Sequence, residues 1–125
     1  MTKLIYKKLC FKIVGVLYNV FNQIGGGHRE SFYHKAIGVE LEDKKIKFES
    51  ELYHPIYYKE KLIGKIYLDF LIENKVVLEI KRGEIFKPQD IKQVYEYLIS
   101  KNLKLGILAN FTKNKVRYKR ILNLK

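Results

Sequence analysis

The period of apolar positions alternates between helical and extended along this chain. Over residues 3 to 23, Leu9, Ile13, Val16, Leu17, Val20 and Phe21 recur at helical spacing, with lysines mostly elsewhere, which predicts an amphipathic helix. Gly25-Gly26-Gly27 ends it and permits a sharp turn. A second helix is expected from about His28 to Asp43, with Tyr33, Ile37 and Leu41 on one face and Glu30 on the same stripe near the N-terminal end. The period then shortens. Residues 46 to 58 read as a strand in which Pro55 points to an edge or an irregularity. Lys59-Glu60-Lys61 is a turn, and residues 62 to 72 and 75 to 81 form two strands joined through Glu73-Asn74-Lys75. Pro88 suits the first turn of a helix reaching about Lys101, its apolar face formed by Ile91, Val94, Tyr95 and Leu98. Residues 104 to 110 form a short apolar strand, with a further strand from Val116 to Leu122. The order is helix, helix, three strands, helix, one or two strands. It implies an α/β fold of the α+β type, a central mixed sheet flanked by helices.

Length and composition narrow the class. The 125 residues fit one domain, 1–125, with the N-terminal helix of residues 1–25 packed on its core. A hydrophobic share of 47% beside 30% charged residues is globular and not disordered. The single cysteine, Cys10, reads as a small buried apolar residue. It excludes an internal disulfide, a thiolate-built zinc site and an iron–sulfur cluster within one chain, and it fits a reducing cytoplasm. Lys3, Lys7, Lys8 and Lys12 before Ile13-Val14-Gly15-Val16-Leu17 imitate a signal peptide, but the apolar run is too short to span a membrane and no small-residue cleavage site follows. The reading is a soluble amphipathic helix.

Charge suggests a partner. Lys and Arg number 25 against 13 Asp and Glu, a net +12, which favours a polyanion: nucleic acid first, an anionic membrane surface second. A lysine coat that serves solubility is the competing explanation. One candidate patch is Lys3, Lys7, Lys8 and Lys12; another is Lys113, Lys115, Arg117, Lys119 and Arg120.

The central hairpin carries the chemistry. With a three-residue turn centred on Asn74, Ile72 faces Val76, Phe70 faces Leu78 and Leu68 faces Ile80, an all-apolar face. The other face pairs Leu71 with Val77, Asp69 with Glu79 and Tyr67 with Lys81. Asp69 and Glu79 become direct cross-strand neighbours with Cβ atoms about 5 Å apart. Like charges at that distance repel, and an oxygen-coordinated divalent cation would offset them. Lys81 projects from the same face as Glu79. A solvated sheet face of mixed charge is the bland alternative, and the flanking Leu71 and Val77 weigh against it.

Asp69 followed by Glu79-Ile80-Lys81 resembles the Asp…Glu-x-Lys core of the PD-(D/E)XK nuclease superfamily. Gly27-His28-Arg29-Glu30-Ser31-Phe32-Tyr33 resembles the motif that names the GxxExxY protein family, a branch of that superfamily. The likeness extends over nearly the whole chain, through the Gln-bearing helix and the late Gly106–Phe111 strand. It implies a restriction-endonuclease-like core. It also implies metal ligation by Asp69, Glu79, the Ile80 carbonyl and Glu30, and a Lys81 that positions or polarises the attacking water. Gln93-Val94-Tyr95-Glu96-Tyr97 resembles the Gln-x-x-x-Tyr element of RecB-type nucleases, which implies that Gln93 and Tyr97 lie beside the bound strand. Leu68 stands where the superfamily's name has Pro, and Gly26 where the GxxExxY family often has Pro. Read from the residues alone, Glu30 could serve only the helix dipole, Tyr33 fits the core better than catalysis, Gln93 and Tyr97 could be a solvated surface pair off the apolar stripe, and His28 and His34 could be ligands or phosphate contacts, although lone histidines in a lysine-rich segment are more often bystanders.

The expected function is hydrolysis of phosphodiester bonds by a nuclease dependent on Mg²⁺ or Mn²⁺, with catalytic Lys81, Asp69 and Glu79. The partner is nucleic acid, DNA placed ahead of RNA, and not a membrane. A homodimer is an arrangement that cutting both strands would favour. The alternative is a nucleic-acid-binding module that keeps the fold and does little chemistry.

Overall fold

The computed structural model describes residues 5–125. Lys3 and the start of the expected first helix lie outside the described residues. Helix α1 (Lys7–Ile24) and helix α2 (Glu30–Asp43) precede strands β1 (Phe48–Tyr58), β2 (Lys61–Ile72) and β3 (Val76–Arg82). Helix α3 (Pro88–Lys101) then leads to β4 (Leu105–Phe111) and β5 (Val116–Leu122). The five strands lie in chain order in one mixed sheet. Neighbours are antiparallel except β3 and β4, which run parallel and are joined through α3. No helix among the described residues is long and apolar enough to cross a membrane.

Two apolar cores sandwich the sheet. On one face, Ile13, Val16, Leu17 and Val20 of α1 and Tyr33, Ile37 and Leu41 of α2 meet Phe70, Ile72, Val76, Leu78 and Ile80. On the other, Val94, Tyr97 and Leu98 of α3 cover Val77 and Leu108. Gly106 allows the second contact, because a Cβ there would stand 2.5 Å from Val94 Cγ1. Cys10 is half-buried at the edge of the first core, with its thiol 3.7 Å from the Ile5 carbonyl.

The glycine turn is held from two sides. Gly25 and Gly27 have φ of 71° and 84°, conformations open to glycine. A Cβ on Gly26 would lie 2.2 Å from the Lys113 carbonyl oxygen, so the turn packs directly on the β4–β5 loop. The buried Tyr33 ring stacks on Phe111 at 4.0 Å, and its hydroxyl donates to the Gly25 carbonyl at 2.7 Å. The Tyr of the Gly27–Tyr33 motif is therefore a core residue that ties α2 to the turn before it.

The β1–β2 hairpin is unusual. Lys59 and Glu60, both at positive φ, make its tight turn. Pro55 lies on edge strand β1, and the register shifts immediately afterwards, between Ile56 and Tyr57. Nearer the core, Glu51 adopts φ 56° and the ladder skips the Glu51/Asp69 position. Phe48 and Phe70, before this kink, pack on the α1/α2 side; Leu52 and Leu68, beyond it, turn into the α3-side core. The strand alternation predicts Leu68 on the same face as Phe70 and Ile80. The kink overturns that placement.

Candidate active site

The β2–β3 ladder has the expected register, with Ile72 opposite Val76, Leu71 opposite Val77 and Phe70 opposite Leu78. It stops there. Leu68/Ile80, Asp69/Glu79 and Tyr67/Lys81 do not form as ladder pairs, because the kink carries β2 away from β3. The carboxylates bridge the opening instead. Glu79 Oε1 accepts the Asp69 N–H at 2.9 Å, and Asp69 Oδ2 accepts the Ile80 N–H at 2.7 Å. These side-chain bonds replace the missing backbone bonds and hold the two acidic groups together. A strand residue directs its N–H and C=O to the same edge, so the Ile80 carbonyl opens onto the same gap.

The pair's surroundings are asymmetric. Glu79 is 4% exposed. Burial first, then the hydrogen bond to and charge of Asp69, push its carboxyl up to about 9, against an opposing pull from Lys81. Lys81 Nζ stands 3.9 Å from Glu79 Oε2 and 3.9 Å from Oδ1 of the buried Asp90 in the first turn of α3. Asp69 Oδ1 meets His34 Nδ1 at 2.7 Å, and that imidazole stacks on Phe70 at 4.4 Å. His34 lies one turn after Glu30 on α2. Both line a cavity of about 260 Å³ with Asp69, Glu51 and Tyr67.

Among the described residues, no three His, Cys, Asp or Glu side chains converge into a metal cluster. The donors on the gap are two carboxylates and one backbone carbonyl. That set fits a hard divalent cation that takes oxygen ligands and keeps water in its remaining positions. Glu30 is an exposed residue of the cavity lining and does not complete a three-carboxylate cluster.

Gln93 is half-buried, one turn after Asp90 on α3. Tyr97 is not a surface neighbour of it. Tyr97 is 4% exposed in the α3-side core and meets the His54 ring edge-on at 5.3 Å. Its hydroxyl is pushed up by burial and then by the charge of Glu49. His28 Nε2 lies 2.7 Å from the Ile24 carbonyl at the end of α1, away from the carboxylates.

Sequence reasoning passed over Asp90 and Asn110 here, and ranked His34 as more often a bystander than a ligand. His34 had a signal in its spacing of four from Glu30 on one helix face. Asp90 had one as an acid in a first helical turn, three residues before Gln93. Asn110 is the lone polar residue in an otherwise apolar, wholly buried strand. It sits opposite Lys81 on β4 and donates to the Ile85 and Gly83 carbonyls, anchoring the loop that delivers α3.

The model of the PD-(D/E)XK nuclease superfamily matches residues 7–121. The chain belongs to this superfamily. SSO0001, a solved structure, superposes with a TM-score of 0.54 at 22% sequence identity over 94% of this chain. This superfamily member spans 58% of the length of SSO0001, so that likeness concerns the fold. No curated protein matches the chain.

Proposed function

We propose that the protein is a metal-dependent nuclease that hydrolyses phosphodiester bonds of nucleic acid, DNA ahead of RNA. The observation that carries this reading is the opening between β2 and β3, where Asp69, Glu79 and the Ile80 carbonyl meet with Lys81 beside them. Membership of the superfamily supports it. The Gly27–Tyr33 motif supports a place in the GxxExxY branch.

Asp69, Glu79 and the Ile80 carbonyl would hold Mg²⁺ or Mn²⁺, and Glu30 would reach the ion through water. Such an ion polarises a phosphoryl oxygen and lowers the pKa of bound water. His34 fixes the orientation of Asp69, leaving Oδ2 directed at the gap. Lys81, held between Glu79 and Asp90, points its ammonium where it can orient the attacking water or offset charge on the transition-state phosphate. Gln93 contacts the strand, while Tyr97 braces α3 against the hairpin through His54.

Incubating the protein with labelled single- and double-stranded DNA and RNA, with Mg²⁺, Mn²⁺ or EDTA, tests this reading. The expected result is cleavage that needs metal and falls about 100-fold or more in Lys81→Ala and in Asp69→Asn. Wild-type rates in either variant would refute the assignment. Metal-independent binding without cleavage would favour a binding module instead.

A further inference from the structure

Beyond the kink, β1 and β2 continue as an arm whose outer residues are exposed. Tyr53 and Tyr67 are cross-strand partners on it, 47% and 55% exposed, with ring centroids 5.7 Å apart and planes at 55°. His54 and Ile66, the next pair along, turn the opposite way and pack against α3. The two tyrosines therefore face away from α3. Tyr67 lines the cavity that also holds Asp69, His34 and Glu30, so one ring of the pair borders the Asp69 side of the gap, with Tyr53 beside it. Lysines flank the pair: Lys35 on the cavity wall, and Lys65 opposite Pro55, two positions along the arm from Tyr67.

We propose that the Tyr53–Tyr67 pair is a stacking ledge for an unpaired nucleobase next to the scissile phosphate, which makes single-stranded or frayed nucleic acid the substrate class. This rests on the nuclease reading of the neighbouring carboxylates. An exposed tyrosine face gives sequence-tolerant stacking to a base that has left its own stack, and lysines beside it neutralise the adjoining phosphates. A paired base inside a duplex presents no free face. A second copy of the chain adding a strand to β1 is the less suited occupant, since Pro55 and the register shift after Ile56 interrupt that edge.

The test measures binding of fluorescent single-stranded and duplex DNA of equal length, in EDTA to prevent cleavage. It compares wild type, Tyr53→Ala/Tyr67→Ala and Tyr53→Phe/Tyr67→Phe. The alanine pair should weaken single-strand binding at least about fivefold, change duplex binding less, and abolish wild-type quenching of a 2-aminopurine placed in the strand. The phenylalanine pair should retain both, because stacking needs the ring and not the hydroxyl. Equal losses on both polymers, no loss at all, or failure of the phenylalanine pair would overturn the ledge, as would self-association that disappears with the alanine pair. If the ledge fails while wild type still cleaves with metal, the nuclease reading stands. If binding follows the prediction without any cleavage, the nuclease reading fails, and with it the assignment of a substrate class; the tyrosine pair is then a single-strand binding surface only.

Discussion

Glu79 is a carboxyl group whose protonated form the metal-free fold prefers. Its ordinary value of 4.5 is raised to about 9 by burial and by Asp69. As pH rises past the ordinary value, the unfolded chain releases this proton while the folded chain keeps it. The contribution to stability is therefore complete at low pH and declines as pH rises between those two values. Glu79→Gln keeps an acceptor for the Asp69 N–H and cannot ionise. Metal-free Glu79→Gln should unfold at a higher temperature than wild type at about pH 8, with little difference at about pH 4, and thermal unfolding followed by circular dichroism checks this. Equal midpoints at both pH values would mean that Glu79 is not held neutral. The same substitution should remove cleavage, because an amide is a poorer partner for a divalent cation than a carboxylate.

At the scale of elements, two packing contacts position the site and each makes a prediction. Gly26 touches the β4–β5 loop so closely that alanine has no room, which fixes the entry of α2 and with it Glu30 and His34. Gly26→Ala should cost about 1–3 kcal/mol in denaturant unfolding, from crowding against backbone. His54 sits at the root of the arm against Tyr97. Burial, then Lys101, lower its pKa, with Glu96 opposing. The unfolded chain thus gains the proton first as pH falls, and stability is lost on descending through the ordinary histidine range. His54→Phe should lessen that acid-side loss in the same unfolding measurement, whereas an unchanged acid profile would show that His54 is not its source. These elements also mark what the sequence makes legible. Alternation of apolar residues was enough to register β2 against β3 near the turn, and helical spacing was enough to place α1 and α2. The splay was hidden because it arises from a positive φ at Glu51 and from side-chain bonds that substitute for a ladder. Tyr97 escaped the predicted stripe because α3 is covered both by the sheet and by the base of the arm, which widens its buried face.

Over the whole molecule, the net charge of +12 is distributed around a site that is itself acidic. Lys7, Lys8 and Lys12 of α1 meet Arg120 of β5 around a separate apolar cavity, so the two basic segments of the sequence adjoin in space. Arg117 is partly engaged, over the Phe86 ring at 5.1 Å. On the nuclease proposal, a basic exterior would supply affinity for a polyanion, while the carboxylate gap between α2 and α3 would supply the chemistry. Affinity for duplex DNA should fall with salt at a log–log slope of about 0.9 per neutralised phosphate, measured by anisotropy titrations. A salt-insensitive interaction would remove charge from the account of binding. The mixed sheet was legible in the sequence, and so was the proximity of Asp69, Glu79 and Lys81. The roles of His34, Asp90 and Asn110 were not read there, since each depends on contacts between distant segments.

The most direct measurement is a titration of metal-free protein with Mn²⁺ at about pH 8, followed by electron paramagnetic resonance of the free ion. The account predicts saturable binding that disappears in Asp69→Asn and in Glu79→Gln, both still folded by circular dichroism. Binding of equal strength in both variants, or none in the wild type, would contradict the assignment of the β2–β3 opening as a metal site.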